Sequence, residues 1–275
     1  MSGRFKKLAA SGVPKSLYAA LNRQVGRALC AYGMIADGDR IAVGVSGGKD
    51  SFTLLSVLAE RATRLPIRYE LVPIYVDPGF GGDAAETLSA QCARMGLPLV
   101  SLQTAHGPFA HSEENRENPC FLCARLRRKE LFTLAGKHGC NKLALGHHKD
   151  DLIETLFLNM CYAGTISSMA PVQPFFNGAL TVIRPLILVD EEVTRRYAKA
   201  CGYAPPESRC PSAGKSSRSE IKETLSALYR RNRKIKGNIL RSMSRVNLDN
   251  LLVKKAPEAE TPKAGEGRCK QNPKP

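Results

Sequence analysis

The chain has no tryptophan, and aromatic residues fill only 6% of its 275 positions. A platform of successive exposed rings for stacking single-stranded bases is therefore not evident. No run of 18 apolar residues occurs, so no membrane span is expected. The opening residues, MSGRFKKLAASGVPKS, lack the apolar stretch of a secretory signal. A cytoplasmic location is the expectation. Acidic residues are scarce beside basic ones: 25 against 41, a net charge of +16. Residues 254–275 hold six Lys/Arg and three Glu, so they account for only +3 and leave +13 elsewhere. Basic residues cluster at 125–129, at Arg195-Arg196 and at 230–236. Such an excess favours a polyanionic partner through counterion release, without separating RNA from DNA.

What is present begins with VGVSGGKDSFTLL, Val43 to Leu55. It has the look of a phosphate loop between a strand and a helix. A Walker-type loop would need glycine where Val43 stands, and a hydroxyl where Asp50 follows Lys49. The spacing of Gly44, Gly47 and Gly48 also misses the dinucleotide pattern. The physics of an anion site nonetheless remains. Gly47 and Gly48 let backbone N–H groups approach closely, Ser46 and Ser51 add hydroxyls, and Lys49 adds a point charge. Phe52, Leu55, Val57 and Leu58 then line an apolar helix face, which puts the anion at a helix N-terminus.

Strand-like runs fall at 41–45, 70–77, 99–102 and 142–145, with helical patterns at 50–63, 84–95, 123–138 and after Gly146. In that last pattern Leu152, Ile153, Leu156, Phe157, Met160 and Cys161 form an apolar stripe. The alternation predicts an α/β fold with a parallel, doubly wound sheet. Leu17, Leu21, Val25 and Leu29 predict a helix before it, LTVIRPL a later strand, 190–201 a helix, and 218–248 mostly basic helix. The expected organisation is an N-terminal helical segment at 1–35, a nucleotide-binding domain at 36–203, a basic helical region at 204–253 and a disordered tail at 254–275. Ligands in such sheets bind beyond the strand carboxyl ends. The 44–50 loop, Asp77, and the segment Gly146 to Asp151 all fall there.

That last segment, GHHKDD, offers two histidines and two aspartates. The aspartates suit magnesium on a nucleotide or orientation of a base, while Asp150 equally suits a helix cap. Nine cysteines in a reducing compartment are expected as core thiols, ligands or nucleophiles rather than disulfides. Cys120 and Cys123 form the one C-x-x-C. Cys210, in the polar segment PPESRCPSAGK, is the best third ligand; these three are the candidate metal ligands. Cys140, Cys161 and Cys201 are expected to be buried. Zinc in a structural site takes four ligands, whereas three thiolates on an iron–sulfur cluster leave one iron open. A C-x-x-C that merely starts a helix is the plainer alternative.

SGGKDS resembles the PP-loop of the ATP pyrophosphatase superfamily, which grips the pyrophosphate of ATP while AMP passes to the substrate. GHHKDDLIET is similar to the G-H-x-x-D-D-x-x-E-T of PP-loop enzymes that modify tRNA. PCFLCARLRRKELF, VIRPL and MIADGDRIAVGVSGGKDS bring the resemblance to the tRNA 2-thiocytidine synthetase family, over about residues 15 to 250. It implies the adenine nucleotide alpha hydrolase-like fold, with ATP, magnesium and a [4Fe–4S] cluster on Cys120, Cys123 and Cys210. It implies ATP-dependent adenylation of a cytidine C2 oxygen, at position 32 of tRNA, and its replacement by sulfur. Nucleotide binding would fall to Ser46, Gly47, Gly48, Lys49, Asp50, Ser51, Asp77, Gly146, His147 and Asp151, and catalysis to Lys49, Asp50 and Asp150. Arg125, Arg127 and Arg128 follow the cysteines, where RNA backbone or ATP phosphate would pass; a solvated helix face is the alternative. Partners would be tRNA and a sulfur donor such as a cysteine desulfurase; a homodimer is admissible. In the family the last cysteine usually opens a second C-x-x-C, but here Ala213 stands at its end. Another PP-loop tRNA modifier, such as a lysidine synthetase or a thiolase for another base, and a non-enzymatic iron–sulfur RNA-binding protein remain alternatives.

Overall fold

The computed structural model describes residues 12–207, 209–212 and 217–252. The expected disordered tail, and Ala213, lie outside them. The strands are β1 (Asp39–Gly44), β2 (Tyr69–Asp77), β3 (Val100–Gln103), β4 (Lys142–Ala144), β5 (Val172–Phe175) and β6 (Leu180–Ile183). They form one sheet in the order β3-β2-β1-β4-β6-β5. Every pair is parallel except β5 with β6. Ile41 of β1 stands opposite Leu71 on one side and Lys142 on the other. From β1 the chain winds out to β2 and β3; β4 leads the other way. The direction reverses between β1 and β4, the place where such sheets open a crevice beyond their carboxyl ends.

The helices are α1 (Lys15–Ala31), α2 (Lys49–Ala62), α3 (Ala84–Arg94), the short α4 (His106–Ala110), α5 (Pro119–Lys137), α6 (Lys149–Tyr162), α7 (Glu191–Ala200), α8 (Ser217–Arg231) and α9 (Lys234–Ser242). Both faces of β1 are covered, which is why Ile41, Ala42 and Val43 are all apolar and all buried. Ile41 and Val43 enter the larger core with α1, α2 and α7; Ala42 and Leu143 enter a smaller one with Leu134 and Ala135 of α5. Leu17, Leu21, Val25 and Leu29 turn one stripe of α1 into the larger core. Leu21 is fully buried there, so truncation to alanine costs about 2–5 kcal/mol. A third cluster joins Ile153 of α6 to Ile221 and Leu225 of α8.

Three details differ from the sequence reading. Strand β5 was not expected: Val-Gln-Pro-Phe lacks alternation, and Pro174 is tolerated because the strand is at the edge. Helix α5 begins at Pro119 rather than 123, so Cys120 and Cys123 lie in its first two turns and not in a loop. The cause is local: Asn118 accepts from the N–H groups of Cys120 (3.0 Å) and Phe121 (3.2 Å), and Pro119 suits the first helical position. Cys161 is exposed, although Cys140 is buried and Cys201 partly so. Helix α6 buries Leu152, Ile153 and Leu156, but its last turn carries Met160 and Cys161 to the surface.

Candidate active site

The turn from β1 into α2 is shaped by close approaches. Gly47 has φ +80°, and a Cβ there would stand 2.9 Å from Pro206 Cγ. Across the crevice, a Cβ on Gly146 would meet the Ser51 nitrogen at 3.0 Å, so the β4–α6 turn presses against the start of α2. Ser51 Oγ accepts from the Ser46 N–H (3.1 Å) and donates to the Gly48 carbonyl (2.9 Å), which locks the loop. The N-cap of α2 is Gly48, with no capping side chain. The first N–H groups of α2 thus lack a side-chain acceptor, the condition for holding an anion at a helix end.

Lys49 Nζ lies 3.0 Å from both Asp50 and Glu191. Burial pushes Lys49 down, but these two carboxylates outweigh it and hold its pKa above the ordinary lysine value. Asp50 also accepts from the Thr194 hydroxyl. Glu191 is shared with Lys222 of α8 at 2.7 Å. Burial works against its charge, yet Lys222 and Lys49 hold its carboxyl at about 2.

The two histidines divide their labour. His148 caps α6: its Nδ1 accepts from the Asp151 N–H (3.3 Å), and Asp151 Oδ2 accepts from the His148 N–H (2.8 Å). His147 is drawn down to about 4, chiefly by burial, with Arg184 and Arg218 adding to it against Asp151. Its Nδ1 accepts from Arg184 Nε at 3.3 Å, so the neutral ring carries its proton on Nε2. Asp150 turns away: one oxygen accepts from the Glu191 N–H (2.8 Å), the other pairs with Lys236 of α9 at 2.6 Å. The carboxylate of Asp77 accepts from the Gly79 N–H at 2.8 Å, in the turn beyond β2.

Between these turns lies a cavity of about 340 Å³. Ser46, Asp50, Ser51, Gly146, His147 and Asp151 line it on one side; Ala124, Arg127 and Arg128 of α5 line it on the other. The helix that begins with Cys120 and Cys123 therefore walls the phosphate-loop cavity one turn later. Arg125 is instead paired with Glu117 at 2.9 Å. A polar pocket of about 240 Å³ adjoins it, sharing Asp50 and Asp151 and adding Lys49, Glu154, Glu191 and Arg218.

The third thiol lies within reach. Cys123 is raised above the ordinary thiol value first by burial and further by Cys210 and Cys120, while Arg127 lowers it; each sulfur is thus within electrostatic range. Pro206 touches Gly47, and four peptide steps span at most about 14 Å, so Cys210 stays near the loop. His111 fixes the same segment through its 2.8 Å contact with Ser212. A single zinc ion wants sulfurs about 3.8 Å apart, given bonds near 2.3 Å. Among the described residues no group of three His, Cys, Asp or Glu side chains is assembled to hold one ion. Among the described residues no helix is long and apolar enough to cross a membrane.

Sequence reasoning missed Arg184, Thr194, Glu191, Tyr203 and Pro206. Only Arg184 left a signal, as a lone charge in an apolar strand end, where it is buried.

The PP-loop domain model matches residues 17–208. A tRNA-cytidine(32) 2-sulfurtransferase of Geobacter metallireducens is 40% identical over 243 residues, covering 87% of this chain and 95% of that protein. The chain belongs to the tRNA-cytidine(32) 2-sulfurtransferase family. A family member from Geotalea daltonii is 42% identical over 247 residues, with 88% and 98% covered. The fold is shared with the U34-tRNA thiolase NcsA from Methanococcus maripaludis, solved with its [4Fe-4S] cluster: TM-score 0.70, 24% identity, 86% of this chain and 80% of that one. For this 2-sulfurtransferase family member the fold expectation holds: a mostly parallel sheet flanked by helices, with one antiparallel edge.

Proposed function

We propose that this protein replaces the C2 oxygen of cytidine 32 in tRNA with sulfur at the expense of ATP. The observation that carries the reading is the shared wall: one cavity bounded by the phosphate loop and by the helix whose first two turns bear Cys120 and Cys123. Oxide is a poor leaving group, so the C2 oxygen must first be activated. That oxygen attacks the α-phosphorus of ATP, the bond to the β-phosphate bridge breaks, and pyrophosphate leaves. Lys49 and the first N–H groups of α2 take up the charge on pyrophosphate. A nucleophile at the sulfide level then adds to C2; the C2–O bond breaks and AMP departs with the oxygen. No electrons are gained or lost overall. Arg127 and Arg128 face the phosphates across the cavity, and His147 donates from Nε2 to the nucleotide or base. Asp151, which like Asp50 borders both pockets, would hold magnesium on the phosphates. Asp50 and Asp150 act by position, since Lys49 and Thr194 engage the first and Lys236 and the Glu191 N–H the second.

The donor set fits an iron–sulfur cluster. Cys120, Cys123 and Cys210 would supply its three thiolate ligands. When bound, such a cluster offers one iron with an open position for a sulfur ligand. Sulfur would come from a donor such as a cysteine desulfurase.

The test is mass spectrometry of tRNA nucleosides from a deletion strain carrying wild type, Lys49→Ala or Cys123→Ser. 2-Thiocytidine should vanish on deletion and return with wild type alone. Purified Lys49→Ala should release AMP in the presence of tRNA about 10²–10³-fold more slowly. An unchanged thionucleoside profile on deletion would overturn the proposal.

A further inference from the structure

Between Glu223 and Asp249 the chain carries no acidic residue, yet it carries Arg230, Arg231, Arg233, Lys234, Lys236, Arg241 and Arg245. Lys236 alone among these turns inward, to Asp150 and Asp190. The other six are exposed, and no ion pair engages them among the described residues. Their placement follows from helix geometry. Arg230 and Arg231 end α8, Arg233 caps α9 and Lys234 opens it. Arg241 lies seven residues, or two turns, beyond Lys234 on the same face, while Ile239 and Met243 turn toward α6 and α8.

The start of α9 is electrostatically unusual. A helix N-terminus carries partial positive charge and favours acidic residues. Here the first turn has none, Arg233 makes no side-chain cap, and four basic side chains surround the positive end. Of the basic residues in this stretch, Asp150 and Asp190 answer Lys236 alone, and no ion pair among the described residues engages the four outer side chains.

The surface is also firmly tied to the reaction centre. Arg218, at the start of α8, pairs with Glu154 at 3.1 Å and lines the pocket beside Lys49. Lys222 pairs with Glu191, and Lys236 with Asp150. From Arg218 to Arg230 the helix rises about 18 Å. One stem-loop of RNA can lie over both.

We infer that the α8–α9 corner, with Arg230, Arg231, Arg233, Lys234, Arg241 and Arg245, is the docking face for the phosphodiester backbone of the RNA substrate. This rests on the proposed tRNA reading and adds where the RNA is gripped. The contacts go to phosphate, so they fix position and supply affinity without reading bases. They lie away from the reacting atoms and act on binding rather than on the chemical step.

The experiment titrates full-length protein into labelled tRNA over a series of salt concentrations. The variant replaces Arg230, Arg231, Arg233 and Lys234 with Gln. A control of equal charge replaces Lys137, Arg195, Arg196 and Lys199 with Gln, all exposed and elsewhere. In the corner variant the salt slope should fall by roughly three, and affinity near physiological salt by roughly tenfold or more. KM for tRNA should rise with kcat unchanged, and the control should match wild type. Replacing the three arginines by Lys should keep the slope, which separates charge from folding. Equal losses in both variants, or no loss in the corner variant, would overturn the inference. So would a corner variant that loses binding to phosphatidylserine vesicles but not to tRNA, which would mark a membrane surface. Wild type that neither binds nor thiolates tRNA would instead sink the functional proposal itself.

Discussion

Helices α2 and α6 start at neighbouring strand ends, yet their first turns are opposites. Helix α2 is capped by Gly48, which has no side chain to offer. Helix α6 is closed by His148 and Asp151, each accepting the other's backbone N–H. One N-terminus is left open for a ligand, and the other satisfies itself and holds still. The same fold position therefore serves recognition in one case and geometry in the other. A glycine against a histidine at the N-cap decides which.

Giving α2 a cap should erase the difference between the two helix starts. At Gly48 a Cβ meets only Ser46 Oγ, at 3.5 Å, and φ is negative, so serine fits. Its hydroxyl would take the N–H groups that otherwise face phosphate. Gly48→Ser should keep or raise thermal stability while ATP affinity falls roughly 10–100-fold, the worth of one hydrogen bond to a charged group. Calorimetry for the first and ATP titration for the second check it.

The converse change opens α6. His148→Ala removes a cap worth about 1 kcal/mol, which lowers Tm by about 2–4 °C in a chain of this size. Scanning fluorimetry measures it. If α6 only positions the site, KM for ATP should shift less than in Gly48→Ser.

An effect confined to acid pH concerns Glu191, which ties α2 to α8. Its carboxyl is held at about 2 when folded, below the ordinary glutamate range. Such a group stabilises the fold above the unfolded pKa, near 4.3, and loses that contribution as pH falls toward 2. Wild type should therefore lose stability between about pH 4.3 and 2 more steeply than Glu191→Gln, as urea melts across that window would show.

How much of this was legible in the chain depends on how local the cause is. SGGKDS announced its loop because glycines, hydroxyls and lysine at fixed spacing act through their own backbone. The strand–helix order was legible for the same reason. What sequence hid was long-range. Thr194 reaches Asp50 across 144 positions, and Glu191 reaches Lys49 across 142. Asp150 read equally as cap or ligand; the cap is His148, and Asp150 pairs with Lys236 of α9 and accepts from the Glu191 N–H. The thiols were named from spacing, but Asn118 made their loop a helix.

Tyr203 stacks on Phe52 at 4.2 Å and donates to the Gly47 carbonyl at 2.7 Å; Pro206 then rests on Gly47 itself. Seven residues after that anchor comes Cys210. Under the proposed function, the residue that meets the nucleotide and the third thiol are therefore tethered to the same anchor.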